Sequence, residues 1–108
     1  MNKLNMYCIC LHDNNYDDVK KLGYIPVALG KNEFSPNWLR DNEGENISHK
    51  NPYYAEYTFH YWFWKNEIDH IQNDKWIGFC AYRRFWTENK NKFHINNKKD
   101  FLSIIPEE

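Results

Sequence analysis

Trp76-Ile77-Gly78-Phe79-Cys80-Ala81-Tyr82-Arg83-Arg84 is the stretch on which the fold turns. It is apolar almost without interruption and then stops at two arginines. A strand with one wet face alternates apolar and polar residues; a run without that alternation reads as a strand covered on both faces, as in a parallel sheet with helices above and below. Toward the N-terminus, Tyr24-Ile-Pro-Val-Ala-Leu29 reads as a second short strand. Its Pro26 cannot donate to a ladder, which predicts an edge or an irregular course. Tyr7-Cys-Ile-Cys-Leu11 is a third strand, running into the turn-forming His12-Asp-Asn-Asn15. Toward the C-terminus, 89–100 is a Lys- and Asn-rich loop or short helix, and Phe101-Leu-Ser-Ile-Ile105, cut off by Pro106, reads as a last strand.

Between these strands lies the clearest helix signal, with Asn51 as N-cap, Pro52 at the first helical position, and Tyr53 to Glu67 free of Gly and Pro. Tyr54, Tyr57, Tyr61, Trp64 and Ile68 form one apolar stripe at helical spacing, Ala55, Phe59 and Trp62 a second. Glu56, His60 and Glu67 leave a narrow polar edge. Such a helix is expected to be central and buried on most sides, with its aromatics in the core. Asp17 to Leu22 predicts a shorter helix ended by Gly23, and Gly30 to Asn51 a long loop. Strands alternating with helical segments give an α/β fold with parallel neighbours, in which ligands sit beyond the carboxyl ends of the strands. The groups at those ends are His12 and the run Tyr82-Arg83-Arg84.

The 108 residues fit one domain spanning 1–108. With 14 Lys+Arg against 15 Asp+Glu the net charge is -1, which lacks the positive excess of a nucleic-acid binder. No apolar run approaches the roughly 18 residues of a transmembrane segment, and Met6 to Leu11 is shorter than a signal-peptide core, so a cytoplasmic protein is expected. Cys8 and Cys10 are two apart and would point to one face of a strand, while Cys80 is isolated. Disulfides are therefore not the framework, and the spacing does not suit structural zinc.

Glu45-Asn46-Ile47-Ser48, Lys50-Asn51, Tyr54, Glu56, Thr58, Tyr61-Trp62-Phe63-Trp64-Lys65-Asn66 and Trp76 to Phe85 occur in that order. Together they resemble DUF4422, a family of bacterial and viral proteins associated with capsular and surface polysaccharide synthesis and regarded as glycosyltransferases. The family's pattern is an opening strand ending in Thr-His-Lys, an Asn-Ile-Ser segment, Glu-Leu-Thr before Tyr-Trp-x-Trp-Lys-Asn, and Gly-Leu-Cys-His-Tyr-Arg-Arg-Tyr-Phe. Here Leu11-His12 stands for Thr-His, Glu56-Tyr-Thr58 for Glu-Leu-Thr, and Ala81 replaces the last segment's His. Family members run on past the length of this chain. The resemblance thus implies the N-terminal, nucleotide-side part of a GT-A-like (Rossmann-like) domain: a partial sheet with one long central helix, truncated relative to the family.

What the resemblance implies chemically is a hexosyltransferase-type enzyme with a nucleotide-sugar donor, UDP-sugar favoured, and a glycan acceptor. Such a site must stabilise a departing diphosphate, through Arg or a divalent metal. No Asp-x-Asp motif is present. Arg83 and Arg84 are therefore assigned to phosphate or sugar contact, no metal ligand is assigned, and the sequence leaves Mn²⁺ or Mg²⁺ use undecided. His12, Asn46, Ser48, Asn51 and Tyr82 complete the expected donor-binding set, and Trp86 is a candidate for stacking on a sugar or base. Glu56 and His60, one helical turn apart, are the acid–base candidates. Glu56 has an alternative structural role in bonding the Asn46–Ser48 loop, and the arginine pair an alternative as a salt-bridged strand end. The rival function is a noncatalytic binding or assembly module that pairs through an exposed last strand with a separate second half or with its own copy.

Overall fold

The computed structural model describes residues 4–82 and Arg84. Four parallel strands, β1 (Leu4–Cys10), β2 (Ile25–Ala28), β3 (Leu39–Arg40) and β4 (Trp76–Ala81), form one sheet in the order β3-β2-β1-β4. Helix α1 (Tyr16–Lys21) joins β1 to β2, while α2 (Asn51–Tyr54) and α3 (Tyr57–Asn66) lie between β3 and β4. The α/β class and the parallel sheet agree with the sequence pattern. The expected strand at 101–105, the segment at 89–100, Arg83 and Trp86 lie outside the described residues.

Alternation along β1 divides the core in two. Leu4, Met6, Cys8 and Cys10 point to the face covered by α1, where they meet Val19, Tyr24, Trp38 and Cys80. Tyr7 and Ile9 point to the other face, against Val27, Leu29 and the α3 residues Phe59, Trp62 and Phe63. β1 is therefore the strand buried on both faces. β4, expected to be covered on both faces, instead flanks β1 at the end of the described sheet and is mostly half-buried, with Trp76 exposed. All three cysteines are free and buried. Cys8 lies beside Cys80 in register, and the neighbouring Cys10 and Cys80 thiols together with burial push the Cys8 thiol up, so it stays protonated and inert. Burial likewise pushes Tyr24 up to about 12.

Two expectations are corrected by geometry. Pro26 sits in an interior strand. Leu29 N–H donates to Cys10 O, so by alternation the even residues of β2 turn their N–H side toward β3, and β3 begins pairing only at Val27. The missing donor thus falls where no partner is required. The long helix, in turn, is broken: Ala55 adopts φ 51 and ψ -129, which ends α2 and starts α3 on a new axis. Only one side of α3 meets the sheet, and the buried stripe is Phe59, Trp62 and Phe63. The other stripe faces out, with Tyr57 67% and Trp64 59% exposed and Tyr54 and Ile68 also exposed. Both stripes are apolar, so periodicity alone did not separate them. Phe63 meets Tyr7 edge-on at 5.0 Å and Phe79 at 5.5 Å, and Phe59 stacks on Trp62 at 5.9 Å. Each such pair adds about 0.5–1.5 kcal/mol beyond burial.

Candidate functional site

The chain leaves β1 to build β2 and β3 on one side, then returns to place β4 on the other. At such a reversal the loops after two neighbouring strands part and leave a crevice at their carboxyl ends. A cleft of about 890 Å³ lies there, lined by the ends of β1 and β4 (Ile9, Ala81), by the loops that follow them (Leu11, His12, Tyr82), and by Asn51, Ala55 and Glu56 from the helical junction. Tyr82 N–H donates to Ile9 O at 2.8 Å, which fixes the backbone of the β4 exit against β1.

The loop after β1 is pinned from outside the cleft. Asp13 Oδ1 accepts hydrogen bonds from Ser35 N–H and Trp38 Nε1, both at 2.8 Å, and these donors hold its carboxyl below the usual carboxylate range. Asn32 Nδ2 donates to Leu11 O at 2.7 Å and lies 3.4 Å from His12 Nδ1. His12 is thus held, exposed, at the rim. On the opposite rim, Asn51 Nδ2 donates to Ala55 O at 3.0 Å and lies 3.3 Å from Thr58 Oγ1, which itself donates to Ala55 O at 3.1 Å. This clasp holds Ala55 in the left-handed region, where a non-glycine residue costs about 1–3 kcal/mol. Its effect is to start α3 at the cleft and to leave Glu56 on the wall. Gly30, at φ 87, lies beneath: a Cβ there would stand 3.8 Å from both Asn51 Oδ1 and Leu11 Cδ2.

Four of the sequence-assigned residues, His12, Asn51, Glu56 and Tyr82, come together on this cleft. His60 and Arg84 line a smaller adjoining hollow. Asn46 and Ser48 line neither. Asn46 Oδ1 accepts from Ser48 N–H, Asn46 Nδ2 donates to Gly44 O, and Ser48 Oγ donates to Asp41 Oδ1 at 3.0 Å. The loop thereby bonds itself, and the structural role weighed for Glu56 falls to Asn46 and Asp41 instead. Asp41 is 1% exposed, and its Oδ2 has no partner among the described residues.

The Tyr61-Trp-Phe-Trp-Lys-Asn66 segment clamps the same loop onto α3. Tyr61 OH donates to Glu45 Oε2 at 2.8 Å, Trp62 Nε1 to Glu43 O at 2.6 Å, and Asn66 Nδ2 to Glu45 O at 2.8 Å. The hydrogen bond to Glu45 pushes the Tyr61 phenol up. Gly44, at φ 68, is required because a Cβ would fall on Asn66 Oδ1. Sequence reasoning missed Asp41, Ala55 and Gly30. Thr58 was visible in Glu56-Tyr-Thr58, but not its task of fixing Ala55.

Among the described residues no three His, Cys, Asp or Glu side chains are grouped to hold a metal ion. The cleft offers one carboxylate, Glu56, which does not by itself make a divalent-ion site. No helix among the described residues is long and apolar enough to cross a membrane.

Comparison with known proteins bears out the resemblance read from the motifs. The family model for DUF4422, described as a domain of unknown function, matches residues 6–107, essentially the whole chain. No curated protein and no solved structure matches it.

Proposed function

The chain belongs to the DUF4422 family, and on that footing we propose that it is a nucleotide-sugar-dependent glycosyltransferase of GT-A-like architecture, UDP-sugar favoured as donor, in surface polysaccharide synthesis. The observation that carries this reading is the cleft at the carboxyl ends of β1 and β4, where the strand order reverses. Open parallel sheets bind nucleotides in such crevices. Its volume of about 890 Å³ lies in the upper part of the ~300–1,000 Å³ range of ligand sites, enough for a nucleoside diphosphate with its sugar. His12 and Asn51, on opposite rims, supply ring nitrogen and amide groups for base and ribose, and Tyr82 supplies a phenol. Glu56 stands on the wall toward which the sugar end would point.

The test is a thermal melt against UDP-, GDP- and dTDP-sugars, with and without Mn²⁺. A rise in Tm with one nucleotide class, lost in His12→Ala while the unliganded Tm holds, is the expected result. Equal melts with every nucleotide would refute the reading. A second reading, an assembly module that pairs with another polypeptide, is favoured by the outward stripe of Tyr57, Trp64 and Ile68. Sedimentation of the chain as a monomer at tens of micromolar would count against it.

A further inference from the structure

The smaller hollow, about 350 Å³, is not a separate feature of the surface. Ile9, Glu56 and Ala81 line both it and the larger cleft, so the two adjoin along a shared wall. Of these three, only Glu56 carries an ionisable group. Its side chain is exposed and, among the described residues, makes no hydrogen bond or ion pair. The other walls of the hollow are His60, Phe79, Cys80 and Arg84. The His60 ring stands edge-on to Phe79 at 4.7 Å, which fixes its plane, and the exposed Tyr57 ring lies 5.9 Å from it. Arg84 is brought to the mouth by a tight reversal, Arg84 N–H donating to Ala81 O at 2.7 Å and Ala81 N–H to Arg84 O at 3.3 Å.

Taken together, these are the groups that recognise a sugar ring. Phe79 gives the hollow an apolar wall, and the His60 imidazole and Arg84 guanidinium offer donors to sugar hydroxyls. The volume is at the low end of the range for ligand sites, suited to a single ring with the rest of a glycan continuing into solvent. Two neighbouring clefts of unequal size, with one unpaired carboxylate between them, form the geometry of a transfer between two ligands.

We propose that the smaller hollow is a second-substrate site for the terminal sugar of a glycan, and that Glu56 is the base between the two sites. The proposal rests on the nucleotide-sugar reading for the larger cleft. In the step, the acceptor hydroxyl oxygen bonds to the anomeric carbon of the donor sugar, and its proton passes to the Glu56 carboxylate. The bond from that carbon to the diphosphate oxygen breaks, and its electron pair leaves with the nucleoside diphosphate. One displacement inverts the anomeric centre. His60 and Arg84 bind and orient the acceptor sugar.

Saturation-transfer NMR separates the two readings, using UDP as one probe and the methyl glycosides of glucose, galactose and N-acetylglucosamine as the others. The proposal expects at least one glycoside to receive saturation while UDP is held at saturating concentration, and that signal to fall severalfold in His60→Ala and in Arg84→Ala, with the UDP signal unchanged in His60→Ala. Glu56→Gln should keep both ligands yet slow sugar transfer by about 10²-fold or more. Displacement of the glycoside by UDP, glycoside binding indifferent to His60 and Arg84, or transfer at the parent rate by Glu56→Gln would each overturn it. UDP binding with no glycoside signal removes the second site and leaves the donor reading standing. Glycoside binding without UDP binding upholds the sugar site and removes the donor reading.

Discussion

The loop at 43–48 and the rim at 51–56 are close in the chain and are built in opposite ways. The loop is bonded at nearly every turn: Tyr61, Trp62 and Asn66 donate to its oxygens, Asn46 and Ser48 bond within it, and Ser48 Oγ donates to the preceding Asp41. The rim's side-chain hydrogen bonds converge on the carbonyl of Ala55, and its Glu56 carboxylate, on the cleft wall, makes no hydrogen bond or ion pair among the described residues. The Tyr61 to Asn66 segment, one of those that carry the resemblance, therefore belongs to the scaffold. It fixes the loop so that the chain enters the rim from a set position. The rim carries the backbone strain and the free carboxylate, a division of labour expected when a rigid element supports a site.

The contrast is broken most severely through Trp62, which is 5% exposed and bonded to the loop through Nε1. Trp62→Ala should cost about 3–5 kcal/mol, a large share of the ~5–15 kcal/mol that holds a small domain together, and denaturant melts should show it. Thr58→Val keeps the shape of a fully buried side chain but leaves Ala55 O short of a donor. A loss of about 1–3 kcal/mol is expected, with Thr58→Ser recovering most of it. Ala55→Gly acts in the opposite direction: glycine adopts φ 51 without a Cβ penalty, so stability should rise by up to about 1 kcal/mol. Glu56→Gln, on the exposed side of the comparison, should leave Tm unchanged within error.

A pH titration sharpens the same contrast. The Ser35 N–H and Trp38 Nε1 bonds hold the Asp13 carboxyl below its unfolded value. Its contribution to stability is therefore complete above the unfolded pKa of about 4 and is lost as pH falls through the lower folded value. Asp13→Asn should melt below the parent at pH 7, with the gap closing under acid conditions.

The strands and the parallel sheet were legible because β1, β2 and β4 are unbroken apolar runs bounded by turn residues. β3 was not, because a strand of two residues, Leu39 and Arg40, has no period to read. Its place depends on tertiary anchors, Trp38 to Asp13 and Arg40 Nη2 to Gly30 O. The helix break was hidden as well: Ala55 has high helix propensity, and only the Asn51 and Thr58 side chains override it. At the site, strand ends pointed to His12 and Tyr82, and the helix start to Asn51 and Glu56. Asn46 and Ser48 were placed there by their polarity, and the structure engages that polarity within the loop.

Amide chemical-shift mapping of the ¹⁵N-labelled chain with UDP tests the central claim most directly. The account predicts shifts grouped at His12, Asn51, Ala55, Glu56 and Tyr82, on both sides of the β1–β4 crevice, with the 43–48 loop unmoved. Shifts centred elsewhere, or none at millimolar UDP, would contradict it.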